Sequence, residues 1–435
     1  MVDDDSARPA GGLLRRHHDF RLLWAGSTIG RLGDSITVIA LPLVAVSTLN
    51  ATAFEVGLLA AAAWVAWLVI GLPVGAWVDR WRRRPVMVIS SAASFLIFVS
   101  VPVAAGLHVL SIGLLLVLAL LSGCATVFFQ TSYFPYLATI LTAEDRPAGN
   151  SLLEGSSAAA GILGQGAGGL IAQLVGAVNG MLADAVTFLV TIACVLGIRQ
   201  PEQPPAKPDE PTTMVADIRA GMAFIFGSRW LRPMIFFGTT ANFALTGYDA
   251  IQVVFLVRSV GLSSGSVGGL IALASVGGVV GAFLAGRVSA WLGSARAQLA
   301  FIASTVVVLL IPLTSDGPGV LLFIVGGFGV SFGVAGSNVV IAIFAQGYVP
   351  QHMLGRLAAC SSFLGFGAIP IGALVGGALA TALGPRGGMW VMTALVPLSG
   401  LFLLLSPVRT VRDLPTPPEP EPAAESSTEP EPQPG

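Results

Sequence analysis

Between Phe20 and Leu405 the sequence passes through one long apolar stretch after another, most of them broken only by short loops rich in arginine. A helix that crosses a bilayer needs about 20 predominantly apolar residues. By that measure the spans fall at 20–48, 54–78, 85–107, 110–140, 149–175, 178–198, 231–257, 266–291, 298–313, 318–346, 356–383 and 388–407. The ninth is short, and the fourth and tenth are long. In 435 residues, 54% are hydrophobic and 10% charged, where a soluble domain carries roughly 25% charged residues. So few charges cannot cover a water-facing surface, and lipid must be the solvent for most of the chain. The fold class expected is an all-α membrane protein of twelve transmembrane helices in two six-helix halves.

Basic residues set the orientation. With the N-terminus inside, 19 of the 22 Lys and Arg residues fall in cytoplasmic segments, as the positive-inside rule demands. Arg258 and Arg386 lie in outer loops, and Arg31 lies within a span. Both termini are therefore expected in the cytoplasm. The segment before Phe20 is polar and charged, without the apolar core and cleavage site of a removable leader. Arginine outnumbers lysine 21 to 1, a mark of high-GC coding that points to a bacterial plasma membrane.

The chain divides into a cytoplasmic segment (1–19), a first six-helix half (20–198), a linker (199–230), a second half (231–407) and a tail (408–435). The linker opens QPEQPPAKPDEP at 200–211, too proline-rich and polar to be buried. It becomes helix-compatible from Met214 to Phe226, as an amphipathic piece on the membrane surface would. The tail after Arg412 is rich in Pro and Glu and is expected to be disordered.

The halves repeat. Ala160, Gly164, Gly168, Ala172 and Gly176 form a small-residue row that returns 208 residues later as Ala368, Gly372, Gly376, Ala380 and Gly384. Gln130 and Asn338 are also 208 apart, and Gly71, Gly75 and Trp81 match Gly281, Ala285 and Trp291 at 210. Rows of small residues at every fourth position let helix backbones approach closely. They serve static packing, and they are also the flat faces on which two bundles can rock.

The most specific motif is GLPVGAWVDRWRRRP at residues 71–85, crossing from the second span into the loop before the third. Gly71, Gly75, Asp79, Arg80 and Arg84 resemble the signature loop of the major facilitator superfamily, with Arg82 where a glycine is usual. The resemblance extends over residues 15–410. NSLLE at 150–154, the glycine-rich fifth span and DAVTF at 184–188 resemble the branch of enterobactin exporters and macrolide efflux proteins. The resemblance implies a small-molecule substrate, alternating access and a latch between the second and eleventh spans on the cytoplasmic side. In that latch Asp79 would face the positive end of a helix, and Arg80 and Arg84 would tie down carboxylates and lipid phosphate. The antiporter signature of the fifth span is partial: GQGAGG at 164–169 keeps the paired glycines but carries Gln165 in place of proline. The basic residue that many proton antiporters place in the fourth span is missing as well.

Ionisable residues at membrane depth are costly and therefore candidates for function. Arg31 lies about 16 Å into the first span at roughly 1.5 Å per residue, with Asp34 on the same face. Asp34 is the candidate proton carrier and Arg31 its competing partner; a mutually neutral pair that only packs the bundle is the alternative. Glu154 stands near the cytoplasmic start of the fifth span, where a surface position competes with a coupling role. Asp184 is placed to cap the sixth span. Asp249 is a candidate for substrate contact. Gln165, Asn242, Gln130 and Asn338 either line a cavity or cross-link helices. Cys124, Cys194 and Cys360 stand singly in apolar runs and read as packing residues.

A net charge of −1 and the lack of a basic stripe exclude nucleic acid as a partner. No phosphate-cradling loop, metal-ligand spacing or nucleophile motif occurs, so neither an enzyme, a metal nor a cofactor is expected. The reading is a monomeric exporter of a small amphipathic organic molecule, driven by protons and surrounded by membrane lipid. A nutrient importer or facilitator and a non-transporting sensor or scaffold are the alternatives.

Overall fold

The computed structural model describes residues 12–78, 80–142, 144–200 and 214–415. The tail beyond residue 415, the proline-rich linker at 201–213, the segment before Gly12, Asp79 and Ala143 lie outside the described residues. Every regular element among the described residues is helical.

The first half comprises α1 (His18–Leu43), α2 (Ala53–Val78), α3 (Arg83–Gly106), α4 (Ile112–Ile140), α5 (Arg146–Val175) and α6 (Ala177–Gly197). A helix at Met214–Gly227 precedes the second half. There follow α7 (Leu231–Val254), α8 (Ser264–Leu292), α9 (Ser294–Ser304, continued as a 3₁₀ helix over Thr305–Leu313) and α10 (Val320–Tyr348). The last helical run, Gln351–Ser399, has one non-helical residue inside it, Gly384 at φ 77° and ψ 160°. Only glycine tolerates that backbone region. The run is therefore two crossings, α11 (351–383) and α12 (385–399), and twelve spans cross among the described residues. The short ninth span also reaches across: eleven α-helical and nine 3₁₀ residues extend about 34 Å at roughly 1.5 and 2.0 Å per residue.

The duplication is written into the backbone. Gly176, between α5 and α6, has φ 89° and ψ 148°, the same turn that Gly384 makes at the corresponding place in the second half. The far ends of α1 and α7 correspond as well. Each closes with a π-helical turn, Val44–Thr48 and Phe255–Ser259. A positive-φ residue follows, Asn50 in one case and Gly261 in the other. The same wide hydrogen bonds complete both ends: Ala51 N donates to Ala45 O at 2.8 Å, and Leu262 N to Leu256 O at 3.0 Å.

Within the first half α1 packs on α5 and α6, α3 on α4 and α6, and α2 on α4; in the second, α7 packs on α11 and α8 on α10. The helix at Met214–Gly227 sets Ile225 and Phe224 into an apolar cluster with Trp230, Leu231 and Leu403, so it belongs to the base of the second half. The outer faces present large apolar side chains, such as Leu163, Leu174 and Phe283, as lipid-facing helices do. The halves meet along two seams, α2 with α11 and α5 with α8.

Candidate transport pathway

Among the described residues, the two seams are tightest on the face remote from the termini. There the backbone of Gly57 lies against Ala373 and Gly377, and that of Gly169 against Gly268. Phe54 N donates to Thr381 Oγ1 at 3.1 Å, and Arg258 Nη2 to Ala51 O at 2.7 Å. Near mid-depth Trp64 and Trp67 pack on Phe366, with ring centroids 5.7 and 5.5 Å apart. Toward the termini the contact ends. Among the described residues, Gly75 on α2, and Gly155 and Gly161 on α5, have nothing within 4 Å of where a side chain would begin. Among the described residues, the closest backbone contacts between the halves lie on the face remote from the termini.

The glycine rows that repeat in the sequence pack within each half. Gly164 and Gly168 press on Leu32 and Ile36 of α1; Gly372 and Gly376 press on Phe243 and Gly247 of α7. Adjacent glycines, Gly169 and Gly377, carry the contacts between the halves.

A cavity of about 580 Å³ lies between the halves. Thr37 of α1, Trp64 of α2, Gln165 of α5, Asp249 and Gln252 of α7, Ser275 of α8 and Phe323 of α10 contribute to a mainly apolar wall. Asp249 is exposed to it, and its Oδ1 accepts a hydrogen bond from Gln252 Nε2 at 3.1 Å. Gln165 Oε1 accepts from Ser275 Oγ at 2.8 Å. The residue that stands in place of the signature proline therefore bridges the halves. Asn242 is not part of this wall; its amide sits beside Gly365 of α11.

A second, narrower cavity of about 80 Å³ lies wholly within the first half. It collects Arg31, Asp34, Gln130, Tyr133 and Glu154 with the serines of α3. Arg31 and Asp34 share this cavity, yet among the described residues no salt bridge joins them. Glu154 is exposed at its open end.

Asp184 does not cap a helix. It is the eighth residue of α6, 0% exposed, where the N–H groups are already taken by the helix's own ladder. Thr37 Oγ1 of α1 donates to its Oδ2, and Thr187 Oγ1 lies 3.2 Å from its Oδ1. Gln252, Ser275 and Thr37 carry no sequence signal of their own, because single polar residues in apolar helices most often bond the preceding turn.

Of the signature-loop residues, Gly75 has nothing within 4 Å among the described residues, Gly71 meets Trp67 of its own helix, and Arg80 is exposed. Arg84 donates to the last carbonyls of α6, Val195 O at 3.1 Å and Leu196 O at 2.5 Å, where a cation also suits the helix dipole.

Two six-helix bundles joined in pseudo-symmetry around a central cavity are the architecture of a membrane transporter. The family model described as Major Facilitator Superfamily matches residues 23–359 and 250–433, and the chain belongs to that family. It is 27% identical over 417 residues to the multidrug efflux pump Tap of Mycolicibacterium fortuitum, covering 91% of this chain and 97% of that protein. Multidrug resistance protein 1 of Bacillus subtilis is 23% identical over 300 residues, covering 68% and 73%. Among solved structures, the nucleoside transporter NupG superposes with a TM-score of 0.73 at 10% identity, covering 89% of this chain and 98% of that one. A bacterial homologue of the iron transporter ferroportin, in an inward-facing state, gives 0.72 at 14% identity over 89% and 98%. At such identities the two structures share the fold.

Proposed function

We propose that this transporter exports a small amphipathic organic molecule from the cytoplasm by alternating access, driven by proton entry. The observation that carries the reading is the central cavity: a mainly apolar chamber with one exposed carboxylate, Asp249, sealed on one face by glycine contacts and open on the other. With the termini in the cytoplasm of a bacterial cell, the open face is the loading side. An apolar wall accepts the hydrophobic body of a guest, while Asp249, Gln165 and Gln252 orient its polar or cationic part. The relatives named as multidrug efflux pumps support this substrate class. In this reading Asp34 carries the proton and Arg31 competes for it, with Glu154 at the cytoplasmic mouth of the same cavity. Gly71, Gly75, Asp79, Arg80 and Arg84 form the latch against α11 that closes the cytoplasmic side in the opposite state. Asn242 supports α11 from α7. The unit of function is the monomer, because each chain holds a whole cavity.

The test is a resistance and accumulation panel in an efflux-deficient bacterial host, covering ethidium, several antibiotic classes and a siderophore. Expression of the protein should lower accumulation of at least one cationic amphipath, and a protonophore should restore it. Unchanged accumulation across the panel, or uptake in place of export, would overturn the reading.

A further inference from the structure

On the face that carries the termini, the two halves end differently. In the second half the chain that leaves α12 turns back over the start of α9. Arg412 O accepts from Ala295 N at 3.1 Å, and Asp413 Oδ1 accepts from Ser294 N at 2.9 Å. Leu414 N donates to Ser294 Oγ at 2.8 Å, and the side chains of Val408 and Leu414 are buried. Gly293, at φ 90°, passes so close that a side-chain carbon there would fall 2.4 Å from the Arg412 carbonyl oxygen. A carboxylate thus sits at the first turn of α9, where the helix dipole favours an anion.

The repeat sets the start of α3 in the first half where α9 starts in the second. Trp81 and Trp291 stand just before the two helices, and Arg82 and Gly293 hold the capping positions. Here the chain takes another course. After α6 it turns toward α1, where Asp19 accepts from Arg199 N at 3.2 Å and from Gln200 N at 2.8 Å. Gln200 Nε2 then donates to Thr139 O of α4 at 2.9 Å. Among the described residues, the place that 412–414 fill in the second half is a cavity of about 610 Å³ in the first.

Arg82, Arg84 and Arg199 line this cavity together with Val88, Ile89 and Leu196, and no acidic side chain lines it among the described residues. Arg84 is held in place by the carbonyls of Val195 and Leu196. Asp19, on the neighbouring α1, has both oxygens engaged by the backbone of Arg199 and Gln200. Ile89 and Leu196 are 68% and 55% exposed on membrane-crossing helices, so hydrocarbon lies against them. Cationic groups where the helices end, above an apolar wall about one turn deeper, match the profile of a phospholipid. The acidic linker at 201–213 and tail at 416–435 could meet the arginines, but neither carries an aliphatic side chain larger than proline for the rest of the groove.

We propose that the groove between the start of α3 and the end of α6 binds one anionic phospholipid from the leaflet on the side of the termini. Its phosphate takes the place beside α3 that the Asp413 carboxylate takes beside α9, and an acyl chain runs along Val88, Ile89 and Leu196. Guanidinium groups suit this duty because their N–H pairs match the oxygens of a phosphate. Arg82 comes from the loop before α3 and Arg199 from the end of α6, so one headgroup bridges the two helices. The lipid thereby gives the first half the fastening that the second half obtains from its own chain. The site lies apart from the cavity between the halves, and the inference does not rest on the export reading.

The test uses the full-length protein with Cys124, Cys194 and Cys360 replaced by alanine and a bimane fluorophore on Ile89→Cys. It is reconstituted into phosphatidylcholine vesicles that contain rising fractions of brominated phosphatidylglycerol. Quenching at Ile89 should saturate at a low fraction, whereas at Leu163→Cys, an exposed position on α5, it should follow the bulk fraction. Brominated phosphatidylcholine should quench the two positions alike. Arg82→Gln and Arg199→Gln should each raise the half-saturating fraction roughly fivefold, and together at least tenfold, as expected for basic residues beside a headgroup. Quenching at Ile89 that follows the bulk fraction, or that ignores both arginines, would overturn the site. Loss of saturation when inorganic phosphate replaces chloride at constant ionic strength would make a free anion the occupant. Saturation that appears only after residues 416–435 are removed, or after Glu202, Asp209 and Glu210 are neutralised, would make the chain itself the occupant. Either result overturns the lipid assignment.

Discussion

Gly169 of α5 and Gly268 of α8 meet backbone to backbone across one seam: a side-chain carbon on Gly169 would fall 2.7 Å from the Gly268 Cα. On the other seam Gly377 of α11, the counterpart of Gly169 in the repeat, meets Gly57 of α2 in the same way. The face remote from the termini is therefore closed by two glycine contacts related by the internal duplication. Any side chain at these points holds the halves apart, since backbone cannot yield as a flexible side chain can.

Gly169→Val and Gly377→Val should each cut export at least tenfold at normal membrane levels. A cysteine introduced at Ser331 in the central cavity should become more reactive toward an impermeant thiol reagent added from outside. Unaltered labelling in either variant would mean that the seam is not the gate.

Topology is open to a direct check. Cysteines at Asn50, Asn179 and Asp316 should react with that reagent in intact cells, whereas cysteines at Arg83, Lys207 and Gly435 should not. Labelling at Lys207 from outside would reverse the orientation.

Asp249 should set selectivity. Asp249→Asn should weaken binding of cationic guests about tenfold, roughly 1.4 kcal/mol, and leave neutral guests within about twofold. Equal losses for both, measured by fluorescence titration of the purified protein, would assign Asp249 a structural duty.

Coupling separates Asp34 from Arg31. Asp34→Asn should abolish uphill export from proteoliposomes under an imposed pH gradient and preserve downhill exchange. Arg31→Ala should impair both, because it leaves the carboxylates of the first half without a nearby cation. Uphill accumulation by Asp34→Asn would shift the proton-carrying role to Glu154 or Asp249.

In the proposed latch the motif closes in the state opposite to this one, since among the described residues Gly75 has nothing within 4 Å and Gly71 meets Trp67 of its own helix. Asp79→Asn changes a charge at nearly constant volume and should remove most export with near-normal membrane levels. Export at the wild-type rate would leave the motif as an anchor for the positive-inside loop.

Span number and the duplication were legible in the sequence because both are one-dimensional properties. The length and apolarity of a run decide whether it crosses a bilayer, and a constant offset between two matching rows can be counted. The turns at Gly176 and Gly384 sit at the ends of the two repeated rows for that reason. Which partner each residue meets is not one-dimensional. Successive residues on a helix point about 100° apart. Gly168 therefore packs inside its own half, and Gly169, next in sequence, closes the seam to the other. Asp184 suffered the same ambiguity: its place near the start of an apolar run matches a cap, and only the approach of α1 turns it into a buried carboxylate facing Thr37. Gln165 read as a departure from a pattern until α8 set Ser275 against it. The sequence determined that these residues lie within the membrane; the angle at which neighbouring helices pack decided whether each faces lipid, its own half, the other half or the cavity.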